Sequence, residues 1–163
     1  MLQSGLRALS RAPQRLALNS SRSYQSKLFY TANSKHRVAV IGGYGNFGTR
    51  LCNLLAKSTQ QRIINSVADK DSTKLEIIIL GRDKIKAADL QAQLKTNYPD
   101  VTYETFAVDY KDEEKFKSFL KEQRIDTLIH TSGPFDKQTQ RQYLVARSCV
   151  QNGTNYIDLA DDR

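Results

Sequence analysis

The sequence predicts an α/β protein built on a doubly wound parallel β-sheet of five strands, and three observations support this prediction. Short apolar runs alternate with longer amphipathic segments between residues 37 and 163, an order that produces right-handed βαβ units. A glycine-rich turn separates the first apolar run from the first amphipathic segment. The chain has 163 residues, of which 39% are hydrophobic and 26% charged, and this suits one ordinary folded domain.

Five short runs are predicted to be strands because each is apolar, or alternates apolar and polar residues, over a few positions. In chain order they are 37–41 (RVAVI), 75–80 (LEIIIL), 101–108 (VTYETFAV), 127–131 (TLIHT) and 155–159 (NYIDL). A glycine directly follows each of the first two runs, and this marks the points where those strands end.

Four segments between the strands are predicted to be helices because their apolar residues recur at a helical spacing. In chain order they are 46–57, 84–97, 112–123 and 137–152. The residues expected to face the core are Phe47, Leu51, Leu54, Leu55, Ala87, Leu90, Leu94, Phe116, Phe119, Leu120, Tyr143, Leu144, Cys149 and Val150. Asp112 is expected to cap the third helix and Gly153 to end the fourth. The first helix is expected to continue into 60–74, on the evidence of Ile63, Ile64 and Val67.

Residues 1–36 are predicted to be a leader, disordered or cleaved, that directs the protein to the mitochondrial matrix. Residues 1–37 hold seven Lys or Arg and no Asp or Glu, whereas the remaining 126 hold 18 basic and 17 acidic residues. An amphipathic, Arg-rich, Ser-rich and acid-poor segment is typical of a transit peptide. Arg22 lies two residues before Tyr24, and we expect cleavage after Tyr24. The alternative is a basic tail that binds nucleic acid or anionic lipid.

The net charge of +8 does not require a nucleic-acid-binding surface, because nearly all of the excess lies in the leader. No run of about 18 apolar residues occurs, so no membrane-spanning helix is predicted. Cys52 and Cys149 are too few for a disulfide scaffold and lack the CxxC spacing of zinc sites. We expect both to be buried as small apolar residues, and we predict no metal site.

The strongest functional signal is the turn Gly42-Gly43-Tyr44-Gly45-Asn46-Phe47-Gly48 after the first strand. It contains the spacings GxGxxG and GxxGxxG and opens an amphipathic helix, the context in which such a turn binds a dinucleotide. Glycines permit a sharp turn, leave room for a pyrophosphate against the backbone and let the helix pack closely. The helix N-terminus attracts phosphate, and Asn46 is expected to cap it. The alternative is a turn that only connects strand and helix.

The end of the second strand favours NADP over NAD. An NAD-binding domain usually carries an acidic residue there, which holds the ribose hydroxyls. This strand instead ends Leu80-Gly81-Arg82-Asp83, and the guanidinium of Arg82 suits a 2′-phosphate. Lys84 is a second candidate for that phosphate, and Asp83 is a candidate N-cap of the next helix. A solvated Arg82 is the alternative.

Other candidate residues follow the third and fourth strands, at the same edge of the sheet as the glycine turn. Asp109 is a candidate acceptor for the adenine amino group, although a cap or turn role is as well supported. Ser132 and Gly133 are expected to lie along the cofactor. His130 lies in strand register, and we expect it to be packed or hydrogen-bonded rather than a proton donor.

Four segments together resemble the NADP-binding domain of the saccharopine dehydrogenase-like proteins. They are IGGYGNFGTRL, ILGRD, HTSGPF and VQNGTNYIDLADDR, and the resemblance covers about residues 37–163. It implies a Rossmann fold and, as in the better-known members, hydride transfer between NAD(P) and a carbon–nitrogen centre. It also implies which residues bind the pyrophosphate (Gly42, Gly45, Asn46, Phe47 and Gly48) and that Arg82 binds the 2′-phosphate.

In that family a substrate domain follows the fifth strand, whereas this chain ends at Arg163. We therefore assign no catalytic residues, and we expect the nearby Asp158, Asp161 and Asp162 to be solvated or capping. Two functions stay open. One is the NADP-binding domain of a mitochondrial oxidoreductase, as a fragment or truncated form. The other is a non-catalytic Rossmann accessory subunit of a mitochondrial assembly. A second copy or a mitochondrial protein is the expected macromolecular partner, and nucleic acid is not.

Overall fold

The computed structural model describes residues 35–65, 74–133 and 143–159, and its five strands form one parallel sheet. The strands are β1 (His36–Ile41), β2 (Leu75–Gly81), β3 (Thr102–Ala107), β4 (Thr127–His130) and β5 (Asn155–Asp158). Their order across the sheet is β3-β2-β1-β4-β5. The chain therefore builds outward from β1 in one direction and then, from β4, in the other. In such sheets ligands bind at the carboxyl edge, where this reversal occurs.

Four helices cover the two faces of the sheet: α1 (Asn46–Asn65), α2 (Lys84–Asn97), α3 (Glu113–Glu122) and α4 (Leu144–Asn152). Helices α1 and α2 share a buried cluster with Val40 and Ile79. Helices α3 and α4 share the cluster that contains Ile41 and Leu80. Successive residues of one strand thus supply opposite cores, which confirms the doubly wound α/β fold. Within the described ranges no helix is long and apolar enough to cross a membrane.

The boundaries of the elements differ from the predicted ones by a few residues. Strand β1 begins at His36, one residue before the predicted strand and inside the predicted leader. Helix α1 continues to Asn65, which confirms the expected extension as far as the structure describes it, and Val67 lies outside the described residues. The predicted helix 137–152 is described only from Tyr143 onward, and α4 begins at Leu144.

The sequence predicted the ends of two helices correctly. The Asp112 side chain accepts the backbone N–H of Lys115 at 3.3 Å, at the start of α3. Gly153 follows α4 in the left-handed region, with φ of 70°, where glycine has no steric cost. Ala87, Leu90 and Leu94 of α2 and Phe116, Phe119 and Leu120 of α3 are buried as predicted.

The fully buried residues of α1 are small, and of its four predicted core residues only Leu51 and Leu55 pack, partly buried, against the cluster that α1 shares with α2. The residues of α1 that the sheet buries are Gly48, Cys52, Ala56 and Thr59. The prediction was wrong for Phe47 and Leu54, which are each 65% exposed. Small side chains let the helix backbone approach the sheet closely, and the side chains of Phe47 and Leu54 lie toward solvent.

Helix α4 shows a similar difference. Val145, Ser148 and Cys149 are its buried residues, and Leu144 packs partly buried against their cluster. The prediction that Tyr143 and Val150 face the core was wrong, because they are 64% and 77% exposed.

Charged residues at the amino ends of the strands form a network around Arg37. Its Nε lies 2.8 Å from Oε2 of Glu76, and its guanidinium also contacts the carboxylate of Glu104. Its backbone N–H donates to Oδ2 of Asp126 at 2.8 Å. Glu76 is only 4% exposed, so the cation neutralises a buried carboxylate. This network fixes the edge of the sheet opposite the glycine turn.

Candidate dinucleotide-binding site

The glycine turn is anchored on the strands on either side of β1. Gly42 has φ of 75°, a conformation that a side chain rarely adopts. Its N–H and that of Gly43 donate to the Leu80 carbonyl of β2, at 2.9 and 3.3 Å. A Cβ atom on Gly42 would lie 3.0 Å from Cβ of Ser132, which follows β4. The turn therefore needs glycine both for its backbone conformation and for its close approach to β4.

The last glycine of the motif packs helix α1 against the turn. A Cβ atom on Gly48 would lie 2.1 Å from the carbonyl oxygen of Gly42 and 2.6 Å from Cα of Gly43. The Gly45 N–H donates to the same Gly42 oxygen at 2.8 Å, and the Gly45 carbonyl accepts the Thr49 N–H at 2.8 Å. Only hydrogen fits at Gly48, as the motif requires.

Helix α1 directs its N-terminus at the space above the turn. Asn46 is the first helical residue, so the expectation that it caps the helix was wrong; Gly45 stands in the preceding position. The first N–H groups of any helix lack partners within the helix. No acidic residue lies in the first turn of α1. The helix end therefore carries donors and partial positive charge, with no carboxylate of its own to oppose a phosphate.

The end of β4 is held against β1 by Thr131. Its N–H and its Oγ1 both donate to the Ile41 carbonyl, at 2.9 and 2.7 Å. Ser132 follows beside Gly42, and its Oγ is buried with no hydrogen-bond partner among the described residues. Gly133 is exposed next to it. The structure thus places Ser132 and Gly133 beside the glycine turn.

The end of β2 presents a cation. Arg82 is exposed directly after Gly81. The Asp83 side chain accepts the N–H groups of Ile85 and Lys86 at 3.0 and 3.1 Å, so its predicted role as N-cap of α2 is confirmed.

Asp109 lies exposed in the connection after β3. Its Oδ1 accepts the Lys111 N–H at 3.1 Å, the local geometry of a turn. Its role toward adenine stays a prediction.

His130, the last residue of β4, is buried. Its Nδ1 lies 3.2 Å from the hydroxyl of Tyr156, and its ring meets the edge of Tyr110 at a centroid distance of 5.3 Å. Burial lowers the pKa of His130, although Asp158 opposes that shift. These contacts confirm the expectation of a packed, hydrogen-bonded histidine.

Asp158 was expected to be solvated or capping. It is instead only partly exposed, and its carboxylate accepts a hydrogen bond from the partly buried side chain of Tyr156. Burial and that carboxylate together raise the pKa of Tyr156. Asp161 and Asp162 lie outside the described residues.

Tyr44 is a residue of the site that the sequence did not single out. Its hydroxyl accepts the N–H of Asp83 at 2.9 Å, so the glycine turn contacts the loop that carries Arg82. A tyrosine between two glycines, combined with a glycine at the end of the next strand, was the available signal.

The carboxyl edge of the sheet therefore combines a glycine turn, a helix N-terminus, an exposed arginine and a buried hydroxyl. The family described as saccharopine dehydrogenase NADP-binding domain matches residues 38–161. The chain belongs to this family. The matched range of the saccharopine dehydrogenase NADP-binding domain includes every residue discussed at the carboxyl edge. No curated protein matches the chain in sequence.

Solved structures show the same fold at low sequence identity. NAD-bound UDP-glucose-4-epimerase from Stenotrophomonas maltophila has a TM-score of 0.54 and 14% identity, over 76% of this chain and 36% of the epimerase. YwfH, an NADPH-dependent reductase involved in bacilysin biosynthesis, has a TM-score of 0.52 and 15% identity, over 79% and 56%. An NADPH-bound short-chain oxidoreductase from Pseudomonas aeruginosa has a TM-score of 0.50 and 12% identity, over 77% and 55%. This chain therefore spans between 36% and 56% of the length of these three proteins.

Proposed function

We propose that this chain binds NADP(H) at the carboxyl edge of its sheet, as the cofactor-binding part of a mitochondrial oxidoreductase of the saccharopine dehydrogenase type. The residues at the end of β2 favour NADP over NAD. Arg82 is exposed there, whereas the neighbouring carboxylate of Asp83 accepts two N–H groups of α2. A 2′-phosphate therefore meets a guanidinium, and the carboxylate that would favour an unmodified ribose is already engaged.

Other groups of the chain fit the remainder of the dinucleotide. The N-terminus of α1 supplies N–H groups for the pyrophosphate, and Gly42 and Gly48 leave room where side chains would clash. The buried Ser132 Oγ supplies a hydroxyl beside the turn. When bound, NADP(H) supplies or accepts a hydride, and the role of these residues is to bind and orient it.

Hydride transfer also requires an acceptor carbon held close to the nicotinamide in a dry site. The described residues supply one wall of such a site, the carboxyl edge of the sheet. We propose that a second domain or another protein supplies the opposite wall.

A non-catalytic accessory subunit is the second candidate. Ile157 and Leu159 are exposed large apolar residues at β5, an edge strand of the sheet, and such an edge favours contact with another protein. Steady reduction of NADP⁺ to NADPH in the presence of saccharopine or a related amino-acid adduct, whose C–H beside the amine nitrogen supplies the hydride, would favour the enzyme over this alternative.

We propose that residues 1–36 direct the protein to mitochondria. Only the composition of this segment supports that proposal. A fusion of this segment to a fluorescent protein is expected to enter mitochondria and to be shortened near Tyr24. A diffuse cytosolic signal with an intact N-terminus would reject the destination without affecting the proposal on NADP.

Nuclear magnetic resonance of the full-length chain tests where the cofactor binds. NADP⁺ is expected to shift the backbone amide signals of Gly42, Gly45, Gly48 and Arg82. NAD⁺ is expected to shift the three glycine signals and to leave the amide signal of Arg82 unshifted. Arg82→Ala is expected to weaken NADP⁺ binding by about 1–3 kcal/mol, the size of a charged hydrogen bond. Lys95→Ala removes an exposed cation from the last turn of α2 and is expected to have no effect. Equal losses in both variants would contradict the assignment of Arg82.

A further inference from the structure

The side chain of Tyr44 connects the glycine turn to the loop after β2. Its hydroxyl accepts the N–H of Asp83 at 2.9 Å. Its ring is partly buried against the cluster that fills the space between the sheet and helices α1 and α2. One polar contact and one apolar contact therefore hold this tyrosine across the end of β2.

Gly81 provides the space for that ring. A Cβ atom on Gly81 would lie 2.2 Å from Cε1 of Tyr44 and 2.6 Å from its hydroxyl oxygen. Gly81 is not in the left-handed region, since the described glycines with positive φ are Gly42 and Gly153. Its backbone would accept a side chain, so the close approach of the Tyr44 ring is what requires glycine here.

These contacts fix the backbone on both sides of Arg82. On one side, the Gly81 carbonyl accepts the Val108 N–H at 3.1 Å, and the Tyr44 ring covers Gly81. On the other side, the Asp83 N–H is held by Tyr44 and its carboxylate by the start of α2. The Arg82 side chain is exposed on a backbone whose position is already determined. Such preorganisation lowers the entropy lost when a charged side chain binds.

We propose that Tyr44 is a positioning residue for recognition of the 2′-phosphate, because its hydroxyl holds the Asp83 N–H and thereby aims Arg82. The proposal rests on the proposed binding of NADP(H) and adds the residue that makes Arg82 selective. NADH lacks the 2′-phosphate, so its binding depends on the glycine turn and not on the direction of Arg82.

Isothermal titration of the full-length chain and its variants tests this role. Tyr44→Phe removes one hydroxyl and is expected to weaken NADPH binding about three- to tenfold, the range of one neutral hydrogen bond, while NADH binding changes less than about twofold. In the Arg82→Ala background the same substitution is expected to change NADPH binding by less than about twofold, because the group that Tyr44 aims is absent. Tyr98→Phe is the matched control. Tyr98 packs against the same cluster at the opposite end of α2, and its variant is expected to bind like the parent.

Gly81→Ala reaches the same contact by a second route, because its Cβ must displace the Tyr44 ring. The Gly81→Ala variant is expected to lose selectivity for NADPH over NADH to a similar extent as Tyr44→Phe. Hydrogen exchange of the Asp83 amide checks the contact without any cofactor and is expected to be faster in both variants than in the parent.

Equal loss of NADPH and NADH binding, or unchanged NADPH binding in Tyr44→Phe, would overturn the role of Tyr44 and leave the proposed function standing. Unchanged exchange of the Asp83 amide would also overturn it. Absence of NADPH binding by the parent chain would instead overturn the proposed function, and this inference with it.

Discussion

The carbonyl oxygen of Gly42 occupies the space that a side chain on Gly48 would need, since a Cβ atom there would lie 2.1 Å from it. The atom that would clash belongs to the backbone of the turn, so no side-chain rotation can relieve the clash. The conformation of Gly42, the first glycine of the motif, therefore requires a glycine at position 48, the last. One adopts a left-handed turn, and the other lets helix α1 begin directly above it.

Gly48→Ala is expected to force helix α1 away from the turn and to lower the free energy of unfolding by about 1–3 kcal/mol, the usual cost of overpacking. Cofactor binding is expected to be lost with it. Gly45→Ala is the matched control, because its Cβ would lie 3.1 Å from the same oxygen and requires a shift of only a few tenths of an ångström. Urea unfolding followed by circular dichroism measures both. A Gly48→Ala variant as stable as Gly45→Ala would contradict this packing.

Arg37→Met is expected to destabilise the fold by about 3–5 kcal/mol, because it leaves the carboxylate of Glu76 buried without its nearest cation. Lys35→Met is the control. Lys35 lies 3.5 Å from the same carboxylate, but its side chain is 50% exposed, so its loss is expected to cost at most about 1 kcal/mol. Similar losses of unfolding free energy in the two variants would count against the network around Arg37.

Acidification is expected to destabilise the protein through His130. Burial holds the folded-state pKa of His130 below its ordinary value, so the unfolded chain takes up this proton first as the pH falls. The stabilisation is fully present above about pH 6.5 and is lost as the pH decreases toward the folded-state pKa, with a slope of at most about 1.4 kcal/mol per pH unit.

His130→Asn isolates that contribution, because Tyr110, Tyr156 and Asp158, the groups around the ring, stay in place. Chemical unfolding between pH 5 and 8 is expected to show a weaker pH dependence in the variant than in the parent. Identical slopes would show that His130 does not titrate on unfolding.

Both cysteines are expected to resist thiol reagents in the native protein. Burial raises the pKa of Cys52 and of Cys149 to about 12, so almost no reactive thiolate exists near neutral pH. With an aromatic disulfide reagent at pH 8, we expect no fast labelling of the folded chain and two labelled thiols in urea. Rapid stoichiometric labelling without denaturant would place at least one thiol at the surface.

The fold and much of the site were predictable because they depend on local patterns. Alternating periods gave the order of strands and helices, and the glycine turn placed the site at the end of β1. The inner face of α1 was predictable only in part. Counting large apolar residues identified Leu51 and Leu55, which pack against the core, but it also favoured Phe47 and Leu54, whereas close packing on the sheet selects the small residues Cys52 and Ala56. The contact between Tyr44 and Asp83 was missed because the chain brings the two residues together only after β2 has paired with β1.

Calorimetric titration of the full-length chain with NADPH and with NADH, under identical buffer and salt, tests the central claim most directly. We expect NADPH to bind about tenfold or more tightly, since the exposed guanidinium of Arg82 gains a charged partner only from the 2′-phosphate. Equal affinities for the two cofactors, or tighter binding of NADH, would contradict the assignment of this site to NADP(H).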